Sequence, residues 1–316
     1  MVDLFGVTSG STATAFKGTT YTTGTTLYQV TSNDTLATFQ IAAGSPTALT
    51  TLGAAVTLDT PNGFRGPVAK IAWSPDGRTL AVASDRDVSI VPTSTLREAF
   101  RLRGHTEAVA TLAFSPDSKT FASGAGDRTV RIWDVATGST LFAIDAQEGG
   151  VGSVAFSADG KTIATGGPSV RLWDAATGKV LRELGTPNFR CLAFSPDGKT
   201  IATGSHAQAG ADPRGNARLS FWDTATGHAT WRTIESSTAI AKLSFSPDGK
   251  TIASASGDGT IRLWSVAAGV QVRTFAGKLR TVSSLVFSPD GKTIASGGER
   301  GWVRLSSGSN IAPVHN

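Results

Sequence analysis

The chain has 316 residues, of which 40% are apolar and 17% are charged, so it can bury a sizeable core and is not expected to be disordered. Glycine occurs 36 times and methionine once, a balance that favours strands and turns over helices. The sequence has no run of about 18 apolar residues and no basic-then-apolar leader, which argues against a membrane span and a signal peptide.

The net charge of +5 raises the question of nucleic-acid binding, but the basic residues are spread evenly. Six follow a repeated turn, and four arginines share one position of a predicted strand: Arg78, Lys119, Lys161, Lys199, Lys250, Lys292, Arg131, Arg171, Arg262 and Arg304. We expect this ring of charge to be solvated surface rather than a phosphate-binding patch, so nucleic acid is not an expected partner. The single cysteine, Cys191, excludes an internal disulfide and agrees with a cytoplasmic protein.

The predicted elements begin with an apolar segment, "VDLFGV", at residues 2–7. A faded repeat follows at residues 25–44, in which Phe39 aligns with Trp173 and Tyr21 is the aromatic residue that precedes the unit. Six clearer copies come next, and each opens with an apolar alternation that ends in an aromatic residue: Trp73, Phe114, Phe156, Phe194, Phe245 and Phe287.

Each copy reads as four short strands. A turn such as "SPDG" follows the first strand, because Pro pre-sets φ at the second position, Asp bonds the nearby backbone and Gly relaxes the exit. The segments "KTIATG" and "VRLWD" are the second and third strands by their β-branched and alternating residues. "ATG" then turns the chain into an outer strand such as "KVLREL".

One such sheet cannot bury both apolar faces, so neighbouring copies must cover one another, and a closed ring leaves only short edges exposed. A period of roughly 40–45 residues with Gly, aromatic and Trp-Asp signals is typical of a β-propeller. The prediction is an all-β, single seven-bladed propeller with four-stranded antiparallel blades. Its repeat units are approximately 11–59, 67–102, 108–144, 150–184, 188–235, 239–275 and 281–307.

Over nearly its whole length the sequence resembles the WD40 β-propeller family. The residues that carry the resemblance are Trp133-Asp134, Trp173-Asp174, Trp222-Asp223, the variant Trp264-Ser265, and Gly104-His105. The resemblance implies seven blades and closure by a terminal strand. Residues 2–7 are the proposed closing strand, and the C-terminal tail is the competing candidate, although Pro313 would weaken a strand there.

The resemblance also implies a buried hydrogen-bonded set, complete once as His105, Ser123, Asp127 and Trp133. The position of the histidine holds Gln147, Ser236 or Lys278 elsewhere, so blade packing is expected to rest mainly on apolar contacts. A partial set of Asp258, Ser254 and Trp264 is expected to be solvated or bridged by water.

The sequence carries little that points to catalysis. No HExxH, CxxC pair or G-x-S-x-G motif is present, so no metal, cofactor or catalytic residue is predicted. Among the four histidines, His105 is expected in the structural set, and His228 and His315 at the surface. His206 lies in the long insertion at 205–217 and is the one histidine with an open role.

The "SPDG" and "ATG" turns are nearly uniform and lie on one face of the expected ring, whereas the other loops vary and lie on the opposite face. Binding residues tend to lie on variable loops over a rigid frame, and aromatic and Arg side chains are enriched at protein contacts. The predicted partner-binding residues are Phe64, Arg65, Arg86, Glu107, Arg128, Glu148, Asn188, Phe189, Arg190, His206, Asp212, Arg214, Lys278, Arg280 and Arg300.

An alternative for Phe64 and Phe189 is burial in the core, since Phe is commonly buried. The predicted function is a monomeric, non-catalytic scaffold that binds a protein or peptide on the variable face. Two alternatives stay open: an enzyme or small-molecule binder at the channel mouth around His206 and Arg214, and a propeller domain cut from a larger regulatory protein.

Overall fold

The computed structural model describes the following residues: 12–17, 25–31, 35–41, 49–51, 56–57, 68–146, 148–185, 189–205, 217–230, 234–236, 238–275, 282–288, 291–298 and 303–307. All regular structure in these residues is β, and it forms seven antiparallel sheets. In the part of the chain so described, no helix has the length and apolar character needed to cross a bilayer.

The first sheet contains β1 (Thr12–Lys17), β2 (Thr25–Thr31), β3 (Thr35–Ile41), β4 (Leu49–Thr51) and β5 (Val56–Thr57). The second contains β6 (Val68–Trp73), β7 (Thr79–Ser84), β8 (Asp87–Pro92) and β9 (Phe100–Leu102). The third contains β10 (Val109–Phe114), β11 (Thr120–Ala125), β12 (Thr129–Asp134) and β13 (Thr140–Asp145).

The fourth sheet contains β14 (Ser153–Phe156), β15 (Thr162–Gly166), β16 (Val170–Asp174) and β17 (Val180–Leu184). The fifth contains β18 (Phe189–Phe194), β19 (Thr200–Ser205), β20 (Ala217–Asp223) and β21 (Ile234–Ser236). The sixth contains β22 (Ile240–Phe245), β23 (Thr251–Ser256), β24 (Ile261–Ser265) and β25 (Gln271–Phe275). The seventh, in the described residues, contains β26 (Val282–Phe287), β27 (Thr293–Gly298) and β28 (Val303–Ser307).

The repeated turn is held by its own serine and aspartate. In the third sheet the Ser115 hydroxyl donates to Asp117 Oδ1 (2.6 Å), and the backbone N–H of Lys119 donates to the same oxygen (3.0 Å). The N–H of Thr120 donates back to Ser115 Oγ (3.0 Å), which fixes the start of β11. The same bonds recur at Asp76, Asp159, Asp197 and Asp248. The turn therefore satisfies its polar groups locally, as turn chemistry requires.

The strand register fixes how the copies align. Trp73 pairs with Leu80 between β6 and β7, and Phe16 pairs with Leu27 between β1 and β2 in the same way. Leu27 in turn pairs with Phe39, as Ile163 pairs with Trp173, so the alignment of Phe39 with Trp173 is confirmed. The aromatic position of the first sheet is thus taken by Phe16, not by Tyr21, which lies outside the described residues.

Neighbouring sheets pack through their first strands, in the order β1, β6, β10, β14, β18, β22, β26. Each described core cluster lies between two consecutive sheets. The cluster between the second and third sheets contains Ile90 and Leu102 from one side and Phe121 and Trp133 from the other. Full burial of a side chain such as Phe121 contributes roughly 1.5–3 kcal/mol, so the stabilising contacts lie between sheets as much as within them.

The basic residues divide into two groups. The six that follow the repeated turn are exposed, as expected. The expectation is wrong for the arginines of the third strands whose side chains are described, Arg131, Arg171 and Arg262, which are half-buried. Arg171 Nη1 donates to the Ala146 carbonyl of the preceding sheet (2.8 Å), because loop carbonyls beside the third strand offer acceptors that the long side chain can reach.

Candidate functional site

Because the strands of each sheet are antiparallel, the loops form two groups, one at each end of the strands. The turn end carries the serine–aspartate turns and the "ATG" turns. The connection end carries the loops between second and third strands and the segments that lead from one sheet to the next.

Four predicted partner-binding residues with described side chains lie at the connection end and are exposed: Arg86, Glu107, Arg128 and Glu148. Arg86 is in the β7–β8 turn and Arg128 in the β11–β12 turn, whereas Glu107 and Glu148 lie in the segments before β10 and β14. Along the chain the charges alternate in sign. We call these four residues the charged rim.

Backbone contacts hold the charged rim together. The Val109 N–H donates to the Asp85 carbonyl (2.8 Å), which ties the segment that carries Glu107 to the turn that carries Arg86. A methyl group added at Gly126 would lie 2.6 Å from Glu107 Oε2, so this carboxylate lies over the β11–β12 turn. A methyl group at Gly150 would lie 3.3 Å from Gly126 Cα. The segment that follows Glu148 therefore packs on the turn that carries Arg128.

Arg128 has a backbone conformation that L-residues seldom adopt, with φ at +72°. The left-handed region costs roughly 1–2 kcal/mol for a residue with a Cβ atom. The equivalent turn of the sixth sheet has Gly259 there, with φ at +78°. The third sheet thus keeps an exposed arginine at a position where glycine would be more stable, and such strain clusters at functional sites.

Phe189 is not a partner-binding residue, and that prediction is wrong. Its side chain is 5% exposed and belongs to the core cluster between the fourth and fifth sheets. Its ring meets Trp222 edge-on, with centroids 6.3 Å apart. The alternative of burial is confirmed, because β18 begins at Phe189 and turns this ring toward the neighbouring sheet rather than toward solvent.

The other predicted partner-binding residues lie outside the side chains that the structure describes. The following lie outside the described residues: Phe64, Arg65, Asn188, His206, Asp212, Arg214, Lys278, Arg280 and Arg300. Arg190 lies in β18, where the structure describes its backbone alone.

The structure joins the four residues of the predicted buried set. Trp133 Nε1 donates to Ser123 Oγ (2.8 Å), and Ser123 Oγ lies 2.8 Å from His105 Nε2. His105 Nδ1 lies 3.0 Å from Asp127 Oδ2. With the tryptophan as donor, Ser123 donates to Nε2 and the Nδ1–H donates to Asp127, so His105 is the neutral Nδ1–H tautomer.

This Asp–His–Ser order resembles that of a hydrolase triad, but the serine cannot act as a nucleophile. Ser123 is 0% exposed, and its oxygen already accepts the indole N–H. Burial, the largest effect, lowers the pKa of His105 below its usual 6.5, while Asp127 acts in the opposite direction. The arrangement can hold β11, β12, the turn between them and the loop before β10 together, and it offers no access to a substrate.

In the sixth sheet the equivalent tryptophan, serine and aspartate are hydrogen-bonded without a histidine. Trp264 Nε1 donates to Ser254 Oγ (2.8 Å), and Arg262 Nη2 donates to Asp258 Oδ2 (3.0 Å). Burial would raise the pKa of Asp258, but hydrogen bonds from Thr260 and Arg262 lower it to about 2. Solvation or bridging water was expected here, and Asp258 is exposed, while the arginine of the third strand also folds back onto the aspartate.

A further pair of charged residues was missed by the sequence reasoning. Lys70 in β6 and Lys242 in β22 occupy equivalent register positions, opposite Ala83 and Ala255. The charge of Lys242, together with burial, lowers the pKa of Lys70 well below its usual 10.5. The second and sixth sheets are separated by the third, fourth and fifth sheets in the packing order.

Among the described residues, no three His, Cys, Asp or Glu side chains converge as a metal site would require. A sequence model described as "WD domain, G-beta repeat" matches the chain at residues 56–91, 96–134, 138–174, 178–212, 224–265 and 269–305. No curated protein matches the chain.

Proposed function

The chain belongs to the WD40 family, and from this premise we propose that it is a non-catalytic scaffold that binds a partner protein or peptide at the connection end. WD40 repeats generally mediate protein–protein interactions and are generally not catalytic. We further propose that the protein is cytoplasmic and acts as a single propeller.

The charged rim is the observation that carries this proposal. Four exposed charges of alternating sign, Arg86, Glu107, Arg128 and Glu148, are held on two rigid turns and two short connections. Such an array favours a partner with a matching alternation of charges, because complementary charges set register and suppress other partners. The strained backbone of Arg128 adds support, since the fold alone would favour glycine there.

The turn end offers less to a partner. Its aspartates accept bonds from the serine hydroxyl and backbone N–H groups of their own turns, and these bonds lower the pKa of residues such as Asp117. The same arrangement recurs from sheet to sheet, so a specific partner would find little there to distinguish one turn from the next.

We propose that the row of sheets closes as a seven-bladed ring, with residues 2–7 as the fourth strand of the seventh sheet. In the described residues β28 is the last strand of that sheet. From the second sheet onward, three to seven residues join an outer strand to the next first strand, and residues 8–11 would join this closing strand to β1 in the same way. Deletion of residues 1–8 should lower the melting temperature more than deletion of 309–316. The reverse order would favour closure by the tail.

The test of the docking face is affinity capture with two quadruple charge-reversal variants. The rim variant is Arg86→Glu/Glu107→Lys/Arg128→Glu/Glu148→Lys. The control reverses four exposed lysines of the turn end, Lys119, Lys161, Lys199 and Lys250, to Glu. We expect the rim variant alone to lose the proteins that wild type captures, with both variants folded by circular dichroism. Loss in the control alone, or equal retention by both, would place the docking surface elsewhere.

A further inference from the structure

The arginines of the third strands differ in the acceptors that they find. Arg171 donates to the Ala146 carbonyl (2.8 Å), and its Nε lies 3.4 Å from a carboxylate oxygen of Glu183, the residue opposite it in β17. Arg262 donates to the carboxylate of Asp258, in the turn that precedes its strand (3.0 Å). In both sheets a carboxylate of the same sheet therefore balances the charge of the guanidinium group.

Arg131 occupies the equivalent position of the third sheet and has no such partner. Its Nε is buried and forms no hydrogen bond, and among the described residues no carboxylate forms an ion pair with its guanidinium group. Ala143 stands opposite Arg131, where the fourth sheet has Glu183. The aspartate of the preceding turn, Asp127, is already bonded to His105. The positive charge of Arg131 is thus left without a counter-charge.

The guanidinium group of Arg131 lies against the segment that leads from β9 to β10. A methyl group added at Gly104 would lie 2.8 Å from Arg131 Cζ and Nη1, and Gly104 itself is exposed. The pKa of His105 is lowered by burial first and by the charge of Arg131 as well, as expected for a guanidinium group near the imidazole. The exposed carboxylate of Asp145, two residues after Ala143 in β13, forms no ion pair with Arg131. Because Arg131 is only half-buried, a ligand can supply the missing carboxylate.

Apolar side chains lie on the same side of the third sheet as Arg131. Leu141 comes two residues before Ala143, so it shares the face of β13 that Arg131 shares, and it is 51% exposed. A methyl group added at Gly138 would lie 2.8 Å from Phe100 Cγ, so the ring of Phe100 in the second sheet lies against the turn that leads into β13. We call the space lined by Phe100, Leu141, Ala143 and Arg131 the outer groove. In the described residues no strand pairs with the outer edge of β13.

We propose that the outer groove binds an extended peptide segment of a partner protein that carries one apolar and one acidic residue. The segment adds along the outer edge of β13, its apolar side chain packs on Leu141 and Phe100, and its carboxylate pairs with the guanidinium group of Arg131. In such pairing, backbone bonds supply affinity and side chains supply specificity, and an arginine and a carboxylate can form two parallel hydrogen bonds. No residue of the charged rim lines the outer groove, so the two proposals can hold or fail independently.

The fourth sheet has the same apolar position without the unbalanced charge. Leu181 lies two residues before Glu183, as Leu141 lies two residues before Ala143, and it is 52% exposed. The arginine beside it, Arg171, is already paired with Glu183, so an acidic peptide would have to displace a carboxylate there. An acidic peptide should therefore select the outer groove and not its counterpart in the fourth sheet.

The test is selection of random heptapeptides displayed on phage against the immobilised full chain, followed by titration of the enriched sequences as labelled synthetic peptides. We expect the enriched peptides to share an acidic and an apolar residue. Arg131→Met should weaken their binding at least about tenfold, because a charge-assisted pair is lost, and Leu141→Ser should weaken it as well. The matched controls, Arg171→Met and Leu181→Ser, should bind the same peptides like wild type.

Thermal melting separates loss of the groove from loss of the fold. We expect Arg131→Met to melt no lower than wild type, because its Nε makes no hydrogen bond that could be lost, whereas Arg171→Met loses a bond and should melt lower. Arg131→Lys keeps the charge without the planar fork and should also bind the peptides more weakly, which repeats the test if Arg131→Met fails to fold. Equal peptide binding by wild type and a folded Arg131 variant, enriched peptides without an acidic residue, or no enrichment would overturn the proposal. So would loss of peptide binding in the rim variant, since that result would place the peptide on the charged rim.

Discussion

The third and sixth sheets place the same residues at equivalent positions and hold them differently. In both, the tryptophan Nε1–H donates to the Oγ of a serine in the second strand, and the N···O distance is 2.8 Å in each sheet. In the third sheet His105 continues this bond to Asp127, so one chain of contacts runs from Trp133 to the loop before β10. In the sixth sheet Arg262 holds Asp258 separately, and the contacts form two independent halves.

The difference shows that a missing histidine need not leave a buried polar group without a partner. The arginine at the third-strand position is free to turn onto the aspartate when no imidazole is present. The two solutions differ in charge and burial: His105 is neutral with a side chain 1% exposed, whereas the side chains of Arg262 and Asp258 are 17% and 27% exposed. We therefore expect the third sheet to respond more strongly to mutation and to mild acid.

The largest effect is expected for His105→Ala. The change removes the acceptor of the Ser123 hydroxyl and one of the two donors to Asp127 Oδ2, and it opens a small cavity, so we expect a loss of about 3 kcal/mol of unfolding free energy. Urea unfolding measures it, with His228→Ala as the control because that histidine is exposed. An unchanged midpoint for His105→Ala would contradict a structural role for the set.

A smaller effect is expected for Arg262→Ala. Asp258 keeps its bonds from Thr260 and gains water, so the expected loss is about 1 kcal/mol. The same urea experiment measures it, with Lys250→Ala as an exposed control in the same sheet. A loss equal to that of His105→Ala would mean that the arginine-held arrangement is as tightly coupled as the histidine-held one.

Exchange of the turn residues of the two sheets should have opposite effects. Arg128→Gly relieves a left-handed arginine and should stabilise the fold by up to about 1 kcal/mol, whereas Gly259→Arg should destabilise it by a similar amount. Calorimetric melting measures both. If Arg128→Gly lowers the melting temperature, the arginine has a stabilising contact that outweighs the strain.

The smallest effects are those of pH, and the two sheets should show them in different windows. The lowered pKa of His105 means that the unfolded chain takes up a proton first as the pH falls below about 6.5, so stability decreases there. The lowered pKa of Asp258 contributes stability above 3.8 that is lost as the pH falls toward about 2. Urea unfolding at a series of pH values measures both effects. In His105→Ala the decrease of unfolding free energy below about pH 6.5 should be absent. Persistence of that decrease would assign it to another group.

The repeated turns and strand types could be predicted from the sequence because their causes are local. Ser115 and Asp117 bond within a few residues of themselves, and Phe39 follows from a strand-length alignment. The faded first repeat was misaligned at its aromatic position, since it lacks the serine–aspartate turn that marks the end of a first strand. The burial of Phe189 could be named only as an alternative, because a ring at a strand start can face either way.

The contacts that could not be predicted join distant parts of the chain. The residues near Lys70 in the sequence do not predict that Lys242 will affect its pKa, because this effect depends on how distant sheets are arranged. One signal was available: the segments before the repeated turns carry basic residues and no acidic ones. The role of Arg262 could not be predicted either, because the alternation of inward and outward side chains along a strand does not determine whether a long side chain folds back onto its own turn.

We propose that the sheets surround one axis, and the distance between the second and sixth sheets tests this proposal most directly. Cross-linking of the native protein with a short amine-reactive reagent, followed by peptide mass spectrometry, should join Lys70 to Lys242, and denatured protein should not give this product. An absent Lys70–Lys242 link in native protein whose exposed lysines react normally would contradict the ring arrangement.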